Sequence, residues 1–243
     1  MTLVSLILLV ATGLVPDQAS RNPSTALMAA DPPVYVQAFK TADVRKEYVF
    51  SDPKVWRVKA DEKGGWLAHV PGQKYKTPQR SPHNIGLIAD WTFVDFVLEC
   101  EMLQTGKEYG HRDQCVFFGF QGPSRFYYVH IATKADPNAH NVFLVNKKPR
   151  RSFAKKTTKG IDWGSDTWHK VRVERRGKDI KVWFDDMAAP IMVAEDATHG
   201  RGWIGFGSFD DEGRVRDIKI WSDSAKRERA TAFATAAAPK KND

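Results

Sequence analysis

The feature that most constrains this chain is a period-two alternation of apolar and polar residues, repeated in short segments from about residue 46 to 222. In VDFVLECEML, residues Val94, Phe96, Leu98, Cys100 and Met102 share one parity. Asp95, Glu99 and Glu101 share the other, interrupted by Val97 and Leu103. Successive strand side chains point to opposite faces, so this pattern predicts a strand with one core-facing side. HKVRVERRGKDIKVWFDD reads as a hairpin: His169, Val171 and Val173 align on one arm, Ile180, Val182 and Phe184 on the other, around Arg176-Gly177-Lys178-Asp179. VWRV, GWLAHV, CVFFGF, RFYYVHIAT, NVFLVN, WIGFGSF and VRDIKIW are further strand candidates, parted by turn residues. The Pro-rich stretch 71–83 reads as a loop. No long segment has a 3.6-residue period with helix caps. The pattern predicts an all-β fold, an antiparallel two-sheet jelly-roll sandwich.

The ends of the chain read differently. Residues 3–15 form an apolar run of 13, against about 20 for a membrane span. Small residues follow it, so residues 1–30 are expected to be a signal peptide and the protein to be secreted or periplasmic. Membrane contact is then expected only through an uncleaved signal segment. Residues 31–45 read as a lead-in, 46–222 as the sandwich, and 223–243 as a low-complexity tail that brings no core. The net charge of +8 would suit nucleic acid, but export excludes it as the natural partner and leaves a carbohydrate, an anionic glycan among the options. Cys100 and Cys115 flank QTGKEYGHRD, which looks like a hairpin connection; they read either as a disulfide across paired strands or as two buried free thiols.

Three segments in order, VDFVLECEM, DTWHKVRVERRGKDIKVWFDD and GWIGFGSFDDEGRVRDIKIW, resemble the concanavalin A-like lectin/glucanase superfamily. Within it, VWRVKADEKGGWLAHV followed by a strand of the F-x-D-F-x-L-x-x-E kind resembles the 3-keto-disaccharide hydrolase domain family of exported bacterial proteins. The likeness spans about residues 46–222. It implies a jelly roll whose concave sheet binds sugar, and a glycoside-directed activity. The superfamily also holds glycosidases, lyases and pure binding modules, so fold does not fix function. The E-x-D-x-x-E strand of family-16-type glucanases is missing here, and its retaining hydrolysis is not expected.

Candidate site residues cluster in RFYYVHIA. Tyr127, Val129 and Ile131 share the parity expected to face the other sheet, which turns Phe126, Tyr128 and His130 outward. An aromatic ring offers a flat apolar surface to a sugar, and imidazole exchanges protons near neutral pH. The alternative is a Tyr-His pair packed under a loop. His140 stands at a loop-to-strand boundary, either over the groove edge or bonded within its own turn. Asn146 and Lys147 end a strand, where they could contact hydroxyls. His111-Arg112-Asp113 is a further loop candidate. NKKPRRSFAKKTTKG, residues 146–160, carries seven cations that suit sulfate or uronate groups, or simply form a solvated loop. Asp210-Asp211 suggests Ca²⁺ or a plain turn, and no cysteine–histidine spacing supports zinc.

The family resemblance implies proton abstraction beside a keto group, loss of the neighbouring substituent and hydration. His130 is then the expected base. Tyr128 would polarise a carbonyl or protonate the leaving oxygen, with Phe126, His140, Asn146 and Lys147 binding carbohydrate. The competing expectations are a non-catalytic glycan-binding module and a laminin-G-like interaction module.

Overall fold

The computed structural model describes residues 31–233. The expected signal peptide over 1–30 and the last part of the expected tail lie outside the described residues. Two antiparallel sheets face each other. The first runs in the order Ala154–Thr157, Met192–Glu195, Asp179–Phe184, His169–Arg176, Phe96–Gln104, Gly213–Trp221, Trp66–His69 and Trp56–Lys59, with Tyr35–Gln37 also on Gly213–Trp221. The second runs Arg151–Ser152, Asn141–Asn146, Arg125–Ala132, Asp113–Gly122, Gly202–Ser208, Asn84–Phe93 and Lys226–Arg227, with Tyr48–Phe50 also on Asn84–Phe93. This is the expected jelly-roll sandwich, and no helix among the described residues is long and apolar enough to cross a membrane.

The alternation decides what lies between the sheets. Phe96, Leu98, Cys100 and Met102 of one strand meet Val171, Val173, Ile180 and Val182 of the hairpin, and Val116, Phe118, Val129 and Ile131 of the opposite sheet. Arg176 pairs with Asp179, leaving a two-residue turn in which Gly177 takes the left-handed φ of 55°. Burying one large apolar side chain stabilises by about 1.5–3 kcal/mol, and this layer holds dozens of buried groups.

A second apolar cluster covers the outward face of the second sheet. It joins Ile85, Leu87, Phe117, Phe120, Phe126, Tyr128, Phe143, Val145 and Trp203 with Ala230. Its cover comes from two segments without much regular structure. Tyr75 of the 71–83 loop packs edge-on against Phe233, which in turn meets Phe120. The Trp203 indole donates to the Glu228 carbonyl at 3.0 Å.

Two expectations are corrected, the tail without core contacts and the hairpin reading of QTGKEYGHRD, and of the two readings of the cysteines the free thiols hold. The segment 223–233 is not free of the core: Lys226–Arg227 adds a strand to the sheet and Ala230 is buried. A low-complexity composition hid this, because pairing through the backbone needs no particular side chains. Residues 31–45 also join the fold through Tyr35–Gln37. Finally, Cys100 and Cys115 form no disulfide. Their strands belong to different sheets, with Cys100 in the inter-sheet core and Cys115 in the outer cluster. QTGKEYGHRD therefore crosses between sheets instead of closing a hairpin.

Candidate functional site

Strand Asp113–Gly122 runs beside Arg125–Ala132 with Cys115 opposite His130 and Phe117 opposite Tyr128. Up to the register shift after Phe118, odd positions of the first strand therefore share the outward face with even positions of the second, and beyond it Phe120 does. Most of that face is apolar and covered. At one end the cover thins, and polar side chains replace the rings.

There His130 Nε2 lies 2.8 Å from Asp113 Oδ2, with both side chains only 4% exposed. The contact has ion-pair distance without hydrogen-bond alignment, and His130 Nδ1 has no partner among the described residues. Asp113 Oδ1 accepts from Ser208 Oγ at 2.7 Å. Just before this serine, Gly207, at φ 152°, passes where a Cβ would strike the Asn84 carbonyl of the neighbouring strand. Asp211 completes the group. Its Oδ2 accepts from the Tyr109 hydroxyl at 2.7 Å and from the Asp113 amide at 3.1 Å. The Asp211 carbonyl accepts from His69 Nδ1 at 3.0 Å.

Two buried carboxylates this close do not ionise alike. Burial and the neighbouring Asp113 charge push Asp211 up to about 7. Burial also acts to raise Asp113, but the charge and proximity of His130 outweigh it and hold Asp113 below the ordinary range. One carboxylate is thus an anion beside an imidazole, and the other titrates near neutrality.

A cavity of about 440 Å³ opens over this group. His130, Asp113, Tyr109, His111, Arg150 and Phe209 line it, with Arg80, His83 and Asp210 at its rim. Tyr109 is half-exposed, so its hydroxyl links buried Asp211 to the cavity. At the mouth His111 contacts Asp136 and His83 contacts Asp210.

The expected site residues distribute unevenly around it. The parity argument places His130, Tyr128 and Phe126 on the face away from Val129 and Ile131, as read from the sequence. That face is not an open groove. Only His130 of the three reaches the cavity. Tyr128 is buried beneath Arg150, whose Nη1 donates to its hydroxyl at 3.1 Å, and burial pushes its phenol well up. Phe126 is fully buried and stacked on Phe120 at 4.8 Å, so it offers no ring to a sugar. His140 is sealed in its turn. Its Nδ1 accepts from the Ala132 amide at 3.3 Å and its Nε2 meets Thr158 Oγ1 at 2.9 Å, while burial lowers it to about 4. Asn146 pairs with Arg125 and His130 with Asn141. Five residues of strand, about 17 Å, therefore separate Asn146 from the position paired with His130, and neither Asn146 nor Lys147 lines the cavity. Both are exposed, and Lys147 takes a left-handed turn φ of 57°.

Sequence reading missed Tyr109, Phe209 and the pairing of Asp113 with Asp211. Asp113 looked like part of an exposed loop, yet it starts a strand and is 3% exposed. Its shared parity with Cys115 and Phe117 was the available signal.

Calcium does not fit the aspartates expected to hold it. Asp210 points outward to His83 and Asp211 inward to Tyr109, so no oxygen cage forms. Among the described residues, Asp113, Cys115 and His130 form the one group of three such donors that converge. Their mixed oxygen, sulfur and nitrogen set suits a transition metal better than calcium. Burial and Asp113 push the Cys115 thiol well up, which opposes the thiolate that a metal prefers.

No family model and no curated protein matches the chain. Solved structures do match. The carbohydrate binding module CBM66 from Bacillus subtilis superposes with a TM-score of 0.52 at 15% identity, over 72% of this chain and 96% of that one. A Bacillus subtilis protein of unknown function with a galectin-like fold gives 0.50 at 14%, over 82% and 98%. The GH43 protein BlXynB of Bacillus licheniformis gives 0.54 at 9%, over 77% of this chain and 39% of that one. These likenesses show the lectin-like sandwich fold. The narrower resemblance to 3-keto-disaccharide hydrolases rests on the sequence motifs alone.

Proposed function

We propose that the domain acts on a carbohydrate by acid–base chemistry at the His130–Asp113–Asp211 cavity. The observation that carries this reading is the pair of buried carboxylates split in protonation beside an imidazole. A purely structural core would gain by replacing such groups with apolar ones, whereas proton transfer at neutral pH requires them.

The chemistry that fits is elimination from a sugar whose carbonyl acidifies a neighbouring C–H, the 3-keto-disaccharide type implied by the sequence resemblance. Asp113 beside Nε2 favours the tautomer with its proton there, leaving Nδ1 as the basic atom of His130. That atom takes the proton. The C–H electron pair becomes a C=C bond as the adjacent C–O bond breaks. Protonated Asp211 gives its proton to the Tyr109 oxygen as that hydroxyl turns away from Asp211 and gives its own proton to the leaving oxygen, and water adds afterwards. Tyr128 keeps a supporting place under Arg150 and no direct role. The export expected from residues 1–30 suits a glycoside met outside the cytoplasm.

A second reading is favoured by the likeness to a carbohydrate binding module: the same cavity binds a glycan without turning it over. Purified protein assayed on a panel of 3-keto and ordinary disaccharides, with and without EDTA, separates the two. Turnover restricted to the keto sugars is the expected result. Binding of sugars with no turnover anywhere on the panel would leave the binding module.

A further inference from the structure

The charges around the cavity pair off, with two exceptions. Asp113 is matched by His130, Asp210 by His83, and Asp136 by His111. Arg151 and Lys155, from the basic run 146–160, turn to Asp196 and Glu195. Arg150 and Arg80 line the same cavity, and among the described residues no carboxylate lies within ion-pair distance of either. The Arg150 amide donates to the Arg80 carbonyl at 3.2 Å, so the two side chains issue from bonded neighbours.

Arg150 is also held in place. Its guanidinium lies 4.5 Å from the Phe209 ring centre and 5.0 Å from that of Phe143, and Nη1 is fixed on the Tyr128 hydroxyl. Nη2 reaches Asn138 only at 3.5 Å, and Nε has no acceptor among the described residues. A rigid, half-buried guanidinium with unused donors is prepared for a planar oxyanion, which it can grip with two parallel hydrogen bonds.

Resting on the carbohydrate reading above, we infer that the cavity selects a sugar bearing a carboxylate, with Arg150 as its anchor and Arg80 as a second charge at the rim. The seven cations of the basic run thus do not act together: one of them recognises ligand, and the exposed Lys147 and Lys148 do not.

The test is calorimetric titration with cellobiose, with cellobiouronic acid, which differs from it by one carboxylate, and with inorganic sulfate. Charge-assisted hydrogen bonds contribute about 1.5–3 kcal/mol, so the acid should bind roughly 10- to 100-fold tighter than the neutral sugar. Arg150→Gln should erase that preference, Arg150→Lys should keep part of it, and Lys147→Ser with Lys148→Ser should leave it unchanged. Equal affinity for the two disaccharides, or a preference that survives Arg150→Gln, overturns the inference and leaves the carbohydrate reading standing. Sulfate binding at Arg150 with no affinity for either sugar keeps an anion site and sinks the carbohydrate reading. Failure of all three probes to bind overturns both.

Discussion

The outward faces of the two sheets are built from similar alternating strands and carry opposite chemistry. On the first sheet, Glu99 lies opposite Arg172 and Glu101 opposite Lys170 and Arg216. Arg172 Nε donates to Glu99 at 2.8 Å and Arg216 Nε to Glu101 at 2.6 Å. Arg214 and Arg216 lie over Trp66 and Trp168, at 4.6 and 4.1 Å from the ring centres. Each of these charges has a neighbour of opposite sign or an aromatic ring, and water reaches the outer pair, with Arg216 and Glu101 36% and 35% exposed. On the second sheet the corresponding face is roofed, and its few ionisable groups are sealed at one end. The difference shows what a roof does to a charged group. An exposed pair contributes about 0–1 kcal/mol, while breaking a buried one costs about 3–5 kcal/mol because the remaining charge stays out of water.

The largest effect should come from the roofed face. His130→Gln removes the proposed base and should lower turnover about 10²- to 10⁴-fold, read as kcat on whichever keto disaccharide the wild type turns over. With His130 buried against Asp113, a measurable loss of Tm is expected too, because the Asp113 charge loses its partner. Full activity in the variant would remove His130 from the mechanism.

Next comes pH. Asp211 has its folded value raised from 3.8 to about 7. A raised carboxylate adds stability that is complete below its unfolded value and is lost as pH rises through the folded one. Melting temperature measured from pH 5 to 8 should therefore fall, and Asp211→Asn should flatten that fall. An unaltered slope in the variant would mean that Asp211 does not titrate in this range.

The smallest effect belongs to the open face. A double-mutant cycle on Glu101→Gln and Arg216→Gln, whose side chains are 35% and 36% exposed, should give a coupling of about 1 kcal/mol or less, shrinking in high salt. A coupling as large as that of a buried pair would erase the contrast between the two faces.

The contrast also explains what could be read in advance. Val129 and Ile131 identified the inward face of their strand, and Phe126, Tyr128 and His130 went outward as their parity required. Parity reports which side of a sheet a residue takes, but not what covers that side. Phe126 and Tyr128 looked available to a sugar because nothing in RFYYVHIA announces that residues 71–83 and 226–233 fold over them. His140 likewise showed its place at a turn, but not the Ala132 amide and Thr158 hydroxyl that seal it.

By itself, then, the sequence determined the main strands, the face that residues within them take and the two-layer sandwich. These follow from local geometry, since a strand's period is two whatever surrounds it. Tertiary structure alone decided that Asp113 meets Asp211 and His130, that Arg150 stands unpaired over them, and that Cys100 and Cys115 are kept apart. Asp113 and Asp211 are separated by 98 positions in the chain. Contacts at such range depend on the order of strands within each sheet and on where the connecting segments cross, and no periodicity along the chain encodes either.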